Sequence, residues 1–235
     1  ISSSSCSHAN DAFIRMVNSL SDTSFRFFYR EMTSLEVIED IYTNRADVGF
    51  IMYPAHKEAE IQDRLMLRHL EFHPLFRSPT QFFCRVGHPI LNERENLTPE
   101  KLYQYNFVLY PSENTRNRAV ESLYNDETLQ LINWNLVPQV IYVNSRASLH
   151  NLIQRSDYIG IGMIPVREQE ENYNIVSFPL PDWMKPEADR CGDFVAAYIH
   201  QKSSSLPKAA KAYITFLEQY YGPESGYKEK LELKE

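Results

Sequence analysis

Glycine is scarce in this chain, with seven residues in 235, and cysteine is scarcer, at three. Few glycines leave few places where backbone can approach a ligand closely. Cys6, Cys84 and Cys191 are odd in number, widely spaced and outside any Cys-x-x-Cys pair. That argues against a disulfide framework or a cysteine-built zinc site and fits a reducing cytoplasm. No apolar run approaches the roughly 20 residues that a membrane helix needs. The N-terminus lacks a charged segment followed by an apolar one, so no secretory signal is expected. Positive charge is also short: 24 Lys and Arg against 31 Asp and Glu give a net charge of −7. Such a surface does not suit clamping a nucleic-acid backbone by this chain alone. Nucleophile-elbow, zincin and P-loop patterns are missing. Among seven histidines, His69 and His73 have helical ligand spacing, but Pro74 disfavours a helix there. His88 precedes a proline, and His150 falls on a polar helix face. No catalytic residue, metal or cofactor is expected.

What is present points to an α/β protein. With 43% apolar residues the chain can bury a substantial core. The most informative stretch is Thr33 to Met52. Thr33 or Ser34 caps a helix, and Glu36 completes a capping box with Thr33. Leu35, Ile38, Ile41 and Tyr42 recur at helical spacing, and Asn44 is suited to a left-handed end. The apolar run Val48 to Met52 fits a strand buried on both faces. Upstream, Ile1 to Cys6 reads as a strand, Ser7 as the cap of a helix through Leu20, and Ser24 to Tyr29 as a second strand. The order β-α-β-α-β predicts a parallel, doubly wound sheet.

Pro54 to Arg64 reads as a connection and Leu65 to Phe72 as a strand. His73-Pro74, Ser78-Pro79 and His88-Pro89 punctuate the middle. Thr80 to Val86 is then a strand opening a second lobe, and Thr98 with Pro99 starts a helix. Phe107 to Tyr110, Gln139 to Val143 and Tyr158 to Met163 read as strands, with helices over Arg116 to Asn133 and from Ser145 to Gln154. Phe194 to His200 is a strand and Leu206 to Tyr221 a helix that returns to the first lobe. The expected layout is two Rossmann-like lobes joined by two crossovers. Lobe I takes residues 1–76 and 190–222, lobe II takes 77–175, a return hinge spans 176–189, and 223–235 is a charged, frayed tail. Such a plan makes a hinged cleft.

Four segments together resemble the effector-binding domain of LysR-type transcriptional regulators. They are Leu35 to Ile38 with Arg45 to Phe50; Val86 to Ile90 with Leu97-Thr98; Phe107 to Tyr110; and Leu152 to Pro165. None is specific alone, but their order and spacing are. Met32 and Tyr158 depart from the family pattern, each standing where a glycine is common, which would put bulk near two ligand-facing turns. The resemblance implies a type 2 periplasmic-binding-protein-like fold and a small polar or anionic effector between the lobes. It also implies homodimers or homotetramers in the cytoplasm, and DNA contact only through a winged helix-turn-helix not contained in these residues. Because Ile1 already reads as strand, the chain is expected to be a piece of something longer.

The candidate ligand residues end strands or begin helices, where open α/β sheets bind ligands. Ser4, Ser5 and Cys6 follow the first strand; as a polar terminus with a helix cap they need no ligand, whereas the resemblance implies effector contacts. Thr33 and Ser34 present the same choice between capping and contact. Tyr53 follows the third strand, and Tyr110 and Ser112 follow a strand of lobe II; each tyrosine can equally be a rim aromatic. Asn144 and Ser145 cap a helix with a ligand role open. Cys6, near a helix N-terminus, is a better redox candidate than Cys84, which reads as a small core residue. Two rivals to a sensor remain: an exported solute-binding protein, and a small-molecule enzyme on a periplasmic-binding-like fold.

Overall fold

Three parallel strands and two helices open the chain in the order that the sequence predicts. A computed structural model describes residues 1–20, 26–110, 132–184, 193–202 and 205–227. The chain divides into two compact units, unit 1 being Ile1–Ser78 with Phe194–Glu235 and unit 2 being Pro79–Asp193.

Unit 1 begins with β1 (Ser2–Ser4), α1 (Ser7–Ser19), β2 (Arg30–Met32), α2 (Ser34–Tyr42) and β3 (Gly49–Pro54). β1 pairs in parallel with both β2 and β3. The capping box of α2 is formed: Glu36 N donates to Thr33 Oγ1 at 3.3 Å and Thr33 N donates to Glu36 Oε2 at 2.8 Å. Asn44 takes a φ of 55° just past the helix, the left-handed end expected of it. A Cβ on Gly49 would lie 2.7–2.9 Å from Val37, Ile41 and Ile199 side chains. Glycine there is what lets α2 lie directly on β3. The buried Asp40 carboxylate ties these elements together, accepting from Ser2 Oγ at 2.6 Å and pairing with Arg30 at 2.7 Å and Arg45 at 3.0 Å.

Several local expectations give way. Ser7 is the first residue of α1; Cys6 holds the cap position and makes no side-chain cap. The second strand lies at Arg30–Met32, later than Ser24 to Tyr29, of which residues 21–25 fall outside the described set. Phe27 and Tyr29 look strand-like because they are aromatic, but they pack on Phe13 of α1, Tyr29 at 4.8 Å between ring centroids. The stretch read as a connection to Arg64, together with the start of the strand expected over Leu65 to Phe72, forms a helix, α3 (Glu58–Leu67). Only Ile61 and Leu65 are buried on it, too sparse a stripe to read, and Arg64 pairs with Glu60 one turn back at 3.0 Å.

The chain then enters β4, a 16-residue strand over Leu70–Arg85. It runs through Pro74 and Pro79, because the conformation forced on a residue before proline is already extended. Its first half belongs to unit 1 and its second to unit 2. Unit 2 continues with α4 (Pro99–Leu102), β5 (Asn106–Leu109), β6 (Val140–Tyr142), α5 (Arg146–Arg155), β7 (Tyr158–Met163), α6 (Arg167–Tyr173) and β8 (Ile175–Pro179). Most of the helix expected over Arg116 to Asn133 lies outside the described residues. β5 is parallel to β6 and β7, while β4 is antiparallel to β7 and β8. The segment expected as a return hinge therefore starts inside a strand of unit 2. Alternating residues feed two apolar clusters, Phe82, Phe107, Ile159 and Phe178 on one face and Phe83, Val108, Leu149 and Ile153 on the other.

The chain returns to unit 1 as β9 (Asp193–Gln201), antiparallel to β3, and α7 (Lys208–Tyr221). Strand order in unit 1 is β2-β1-β3-β9-β4, so β4 is its outer strand. α7 packs on α1, with Tyr213 Oη donating to Ala9 O at 3.1 Å. The tail is not frayed from its start: the Tyr227 hydroxyl meets His8 Nε2, and the Tyr227 ring packs edge-on to Phe76 at 4.9 Å. No described helix is long and apolar enough to cross a membrane.

Candidate functional site

The C-terminal ends of the parallel strands form a polar edge in each unit. In unit 1 the edge is built by β1, β2 and β3 with the starts of α1 and α2. Ser4 pairs with Met32 across the β1–β2 ladder. Ser4 Oγ and Ser34 Oγ are 2.7 Å apart, and Ser34 Oγ donates to Met52 O at 2.6 Å. Met52 N approaches both hydroxyls, at 3.3 Å and 3.2 Å. The two serines are buried and spend their hydrogen bonds on each other and on β3. The structure thus brings Ser4 and Ser34 together as an internal clasp.

Ser5 follows the clasp and is partly exposed, while Thr33 is occupied with the capping box and donates its hydroxyl to Glu36 at 2.8 Å. Cys6 is buried, with its Sγ 3.3 Å from His8 Nδ1. α1 starts without a side-chain cap from Cys6, in contrast to α2 with its capping box. Tyr53 is fully buried near the end of β3, and its Oη has no hydrogen-bond partner among the described residues. Burial, and then the Glu58 carboxylate, raise its pKa; Arg77 opposes them.

In unit 2 the edge is built by β5 and β6. Tyr110 follows β5 half-buried and packs against the cluster of Phe83, Val108 and Leu149. Val143 N donates to Leu109 O at 2.9 Å, which carries Asn144 to the same edge, where it is exposed. Ser145 caps α5, accepting from Ser148 N at 3.5 Å. Ser112 lies outside the described residues. Tyr158 departs from its expected place near a ligand-facing turn: it starts β7, and its hydroxyl donates to Gln139 Oε1 at 2.5 Å, at the opposite ends of the strands. Met32, beside Ser4, lies at the C-terminal edge of the unit 1 strands.

The model of the LysR substrate binding domain matches residues 25–222. The chain belongs to that family. The LysR fold is confirmed by solved structures, and it is the type 2 periplasmic-binding-protein-like α/β architecture. The effector binding domain of QuiR in complex with shikimate has a TM-score of 0.55 at 14% identity, with 90% of this chain and 89% of that one covered. The regulatory domain of CcmR from Synechocystis PCC6803, in complex with 2-PG, has a TM-score of 0.59 at 10% identity, covering 95% and 98%. Full-length OxyR from Pseudomonas aeruginosa has a TM-score of 0.58 at 11% identity; the match covers 92% of this chain and 63% of that one. No curated protein matches by sequence. As a LysR effector-binding domain, the chain is part of a transcriptional regulator that responds to a small molecule.

Sequence reasoning missed two features of the LysR edges. The Ser4–Ser34 clasp joins residues on different elements, and no local pattern announces it. The orphaned Tyr53 hydroxyl could be suspected only from a tyrosine placed inside a strand buried on both faces.

Proposed function

We propose that this domain senses a small polar or anionic metabolite through the strand edges of its units. Ser5, Thr33 and Tyr53 are the candidate ligand contacts on the edge of unit 1, and Tyr110, Asn144 and Ser145 those on the edge of unit 2. Ser4, Cys6 and Ser34 shape the edge from behind. The observation that carries this reading is the buried hydroxyl of Tyr53, at the end of β3 in a LysR domain, which has no hydrogen-bond partner among the described residues. A buried donor without an acceptor costs about 1–3 kcal/mol, which a ligand oxygen can recover. The domain performs no catalysis; it works in the cytoplasm as a homodimer or homotetramer and reaches DNA through a separate helix-turn-helix module. Binding needs only a few kcal/mol of differential affinity between two arrangements to act as a switch.

Thermal-shift screening with a metabolite panel that includes shikimate and 2-PG tests the proposal. At a ligand concentration of about 100 Kd the gain is about 2.7 kcal/mol, a rise of roughly 5–10 °C for a chain of this size. The ligand is recovered unconsumed. Ser5→Trp abolishes the shift without lowering the unliganded Tm. A ligand that is turned over supports an enzyme instead, and a shift that survives Ser5→Trp moves the pocket elsewhere.

A further inference from the structure

Glu71, His73 and His200 gather on one face of unit 1, where the start of β4 neighbours the end of β9. Glu71 Oε2 lies 3.4 Å from His73 Nε2 and 3.5 Å from His200 Nε2. One ligand atom from each of the three falls within 4.8 Å of the other two. Tetrahedral zinc with bonds of about 2.0–2.1 Å sets its ligand atoms about 3.4 Å apart. Two of the three edges already have that length, and the third is no longer than 4.8 Å.

The groups packed around the three side chains fit the same chemistry. His200 Nδ1 sits 3.0 Å from the Gln201 carbonyl, a contact that only an N–H can make. The lone pair of the neutral ring is therefore on Nε2, facing Glu71. His73 Nε2 is buried and makes no hydrogen bond among the described residues. Tyr198 lies flat on the His73 ring at 4.5 Å and 9°, and its hydroxyl donates to Glu218 Oε1 at 2.6 Å. His73 is also nearly parallel to His200, at 5.2 Å and 18°. Both imidazole planes are thus set by packing before any ion arrives. Neutral imidazole with one carboxylate suits first-row divalent cations such as zinc, rather than calcium or magnesium.

We propose that Glu71, His73 and His200 form a three-ligand site for a divalent cation of the zinc class, with water as the fourth ligand. It clasps the outer strand of unit 1 to β9. The site is separate from the β1–β2–β3 edge and independent of the effector reading. His69 takes no part: it precedes the strand at a φ of 55°.

The test uses the tag-free chain after chelator treatment. Co2+ added to it produces visible d–d absorption that saturates at one ion per chain, and Zn2+ displaces it and raises the Tm. His73→Gln and His200→Gln each weaken zinc binding more than about 100-fold, beyond the usual effect of second-shell changes. His69→Asn, which suits the left-handed backbone, binds as the parent does. Glu71→Gln, at a partly exposed position, provides a third ligand variant if a histidine variant misfolds by circular dichroism. An ordinary histidine–carboxylate ion pair gives no cobalt spectrum. That result, or zinc binding that persists in the folded ligand variants, overturns the site.

Discussion

Acid should destabilise unit 2 through His150, and His150→Leu should remove that sensitivity. The ring is 5% exposed, packs 5.0 Å from Tyr173 and donates from Nδ1 to Arg146 O at 2.8 Å. Burial dominates and lowers its pKa to about 4; the Arg146 carbonyl opposes this, and the Arg146 charge adds to it. The folded ring therefore stays neutral while the unfolded chain protonates below about pH 6.5. The unfolded state binds more protons between those values, so stability falls as pH falls, from about pH 6.5 down to about pH 4. The full effect is about 3 kcal/mol, of which about 2 kcal/mol is present at pH 5. Both tryptophans, Trp134 and Trp183, belong to unit 2, so their emission follows this unit during urea unfolding. Between pH 7.5 and pH 5, wild type should lose about 2 kcal/mol more than His150→Leu does. His88, also lowered by burial, is common to both proteins and cancels. Equal losses in the two proteins would refute the argument.

Gly49→Ala pushes a methyl group to within 2.9 Å of three apolar side chains. It should cost about 1–3 kcal/mol in urea denaturation; a change below about 0.5 kcal/mol would mean that α2 can lift off β3 freely. Tyr53→Phe deletes a buried hydroxyl that has no partner among the described residues, so the unliganded domain should be as stable as wild type or more so. The same variant should bind the effector more weakly by calorimetry. A large loss of stability without ligand would show that the hydroxyl has a partner.

The helix-to-strand passage from Thr33 to Met52 was legible because its determinants are local: a capping box, an amphipathic stripe, a left-handed asparagine and an apolar run. The parallel β-α-β-α-β opening and the LysR resemblance followed from the same kind of signal. Legibility failed where tertiary contacts decide. Phe27 and Tyr29 have strand propensity but pack on Phe13, and the polar Arg30 and Glu31 pair with β1 instead. Pro74 and Pro79 read as breaks, although extended β4 accommodates both: Pro74 lies where β4 is the outer strand of unit 1, and Pro79 just before the residues of β4 that pair with β7 and β8. The serines of the first strand were visible as polar candidates, yet whether Ser4 faces a ligand or Ser34 depends on a contact 30 residues away. Histidine ligand spacing was sought along the sequence, while His73 meets Glu71 two residues back on a strand and His200 on its neighbour.

The docking of Tyr227 bears on where this domain ends. The family match stops at residue 222, an inviting place to cut. Yet His8, at the head of the first helix, is wholly shielded from solvent by a lid of rings to which Tyr227 contributes from beyond that point. Amputation there would wet the imidazole two positions after Cys6, so damage at the carboxyl end would be registered beside the first strand.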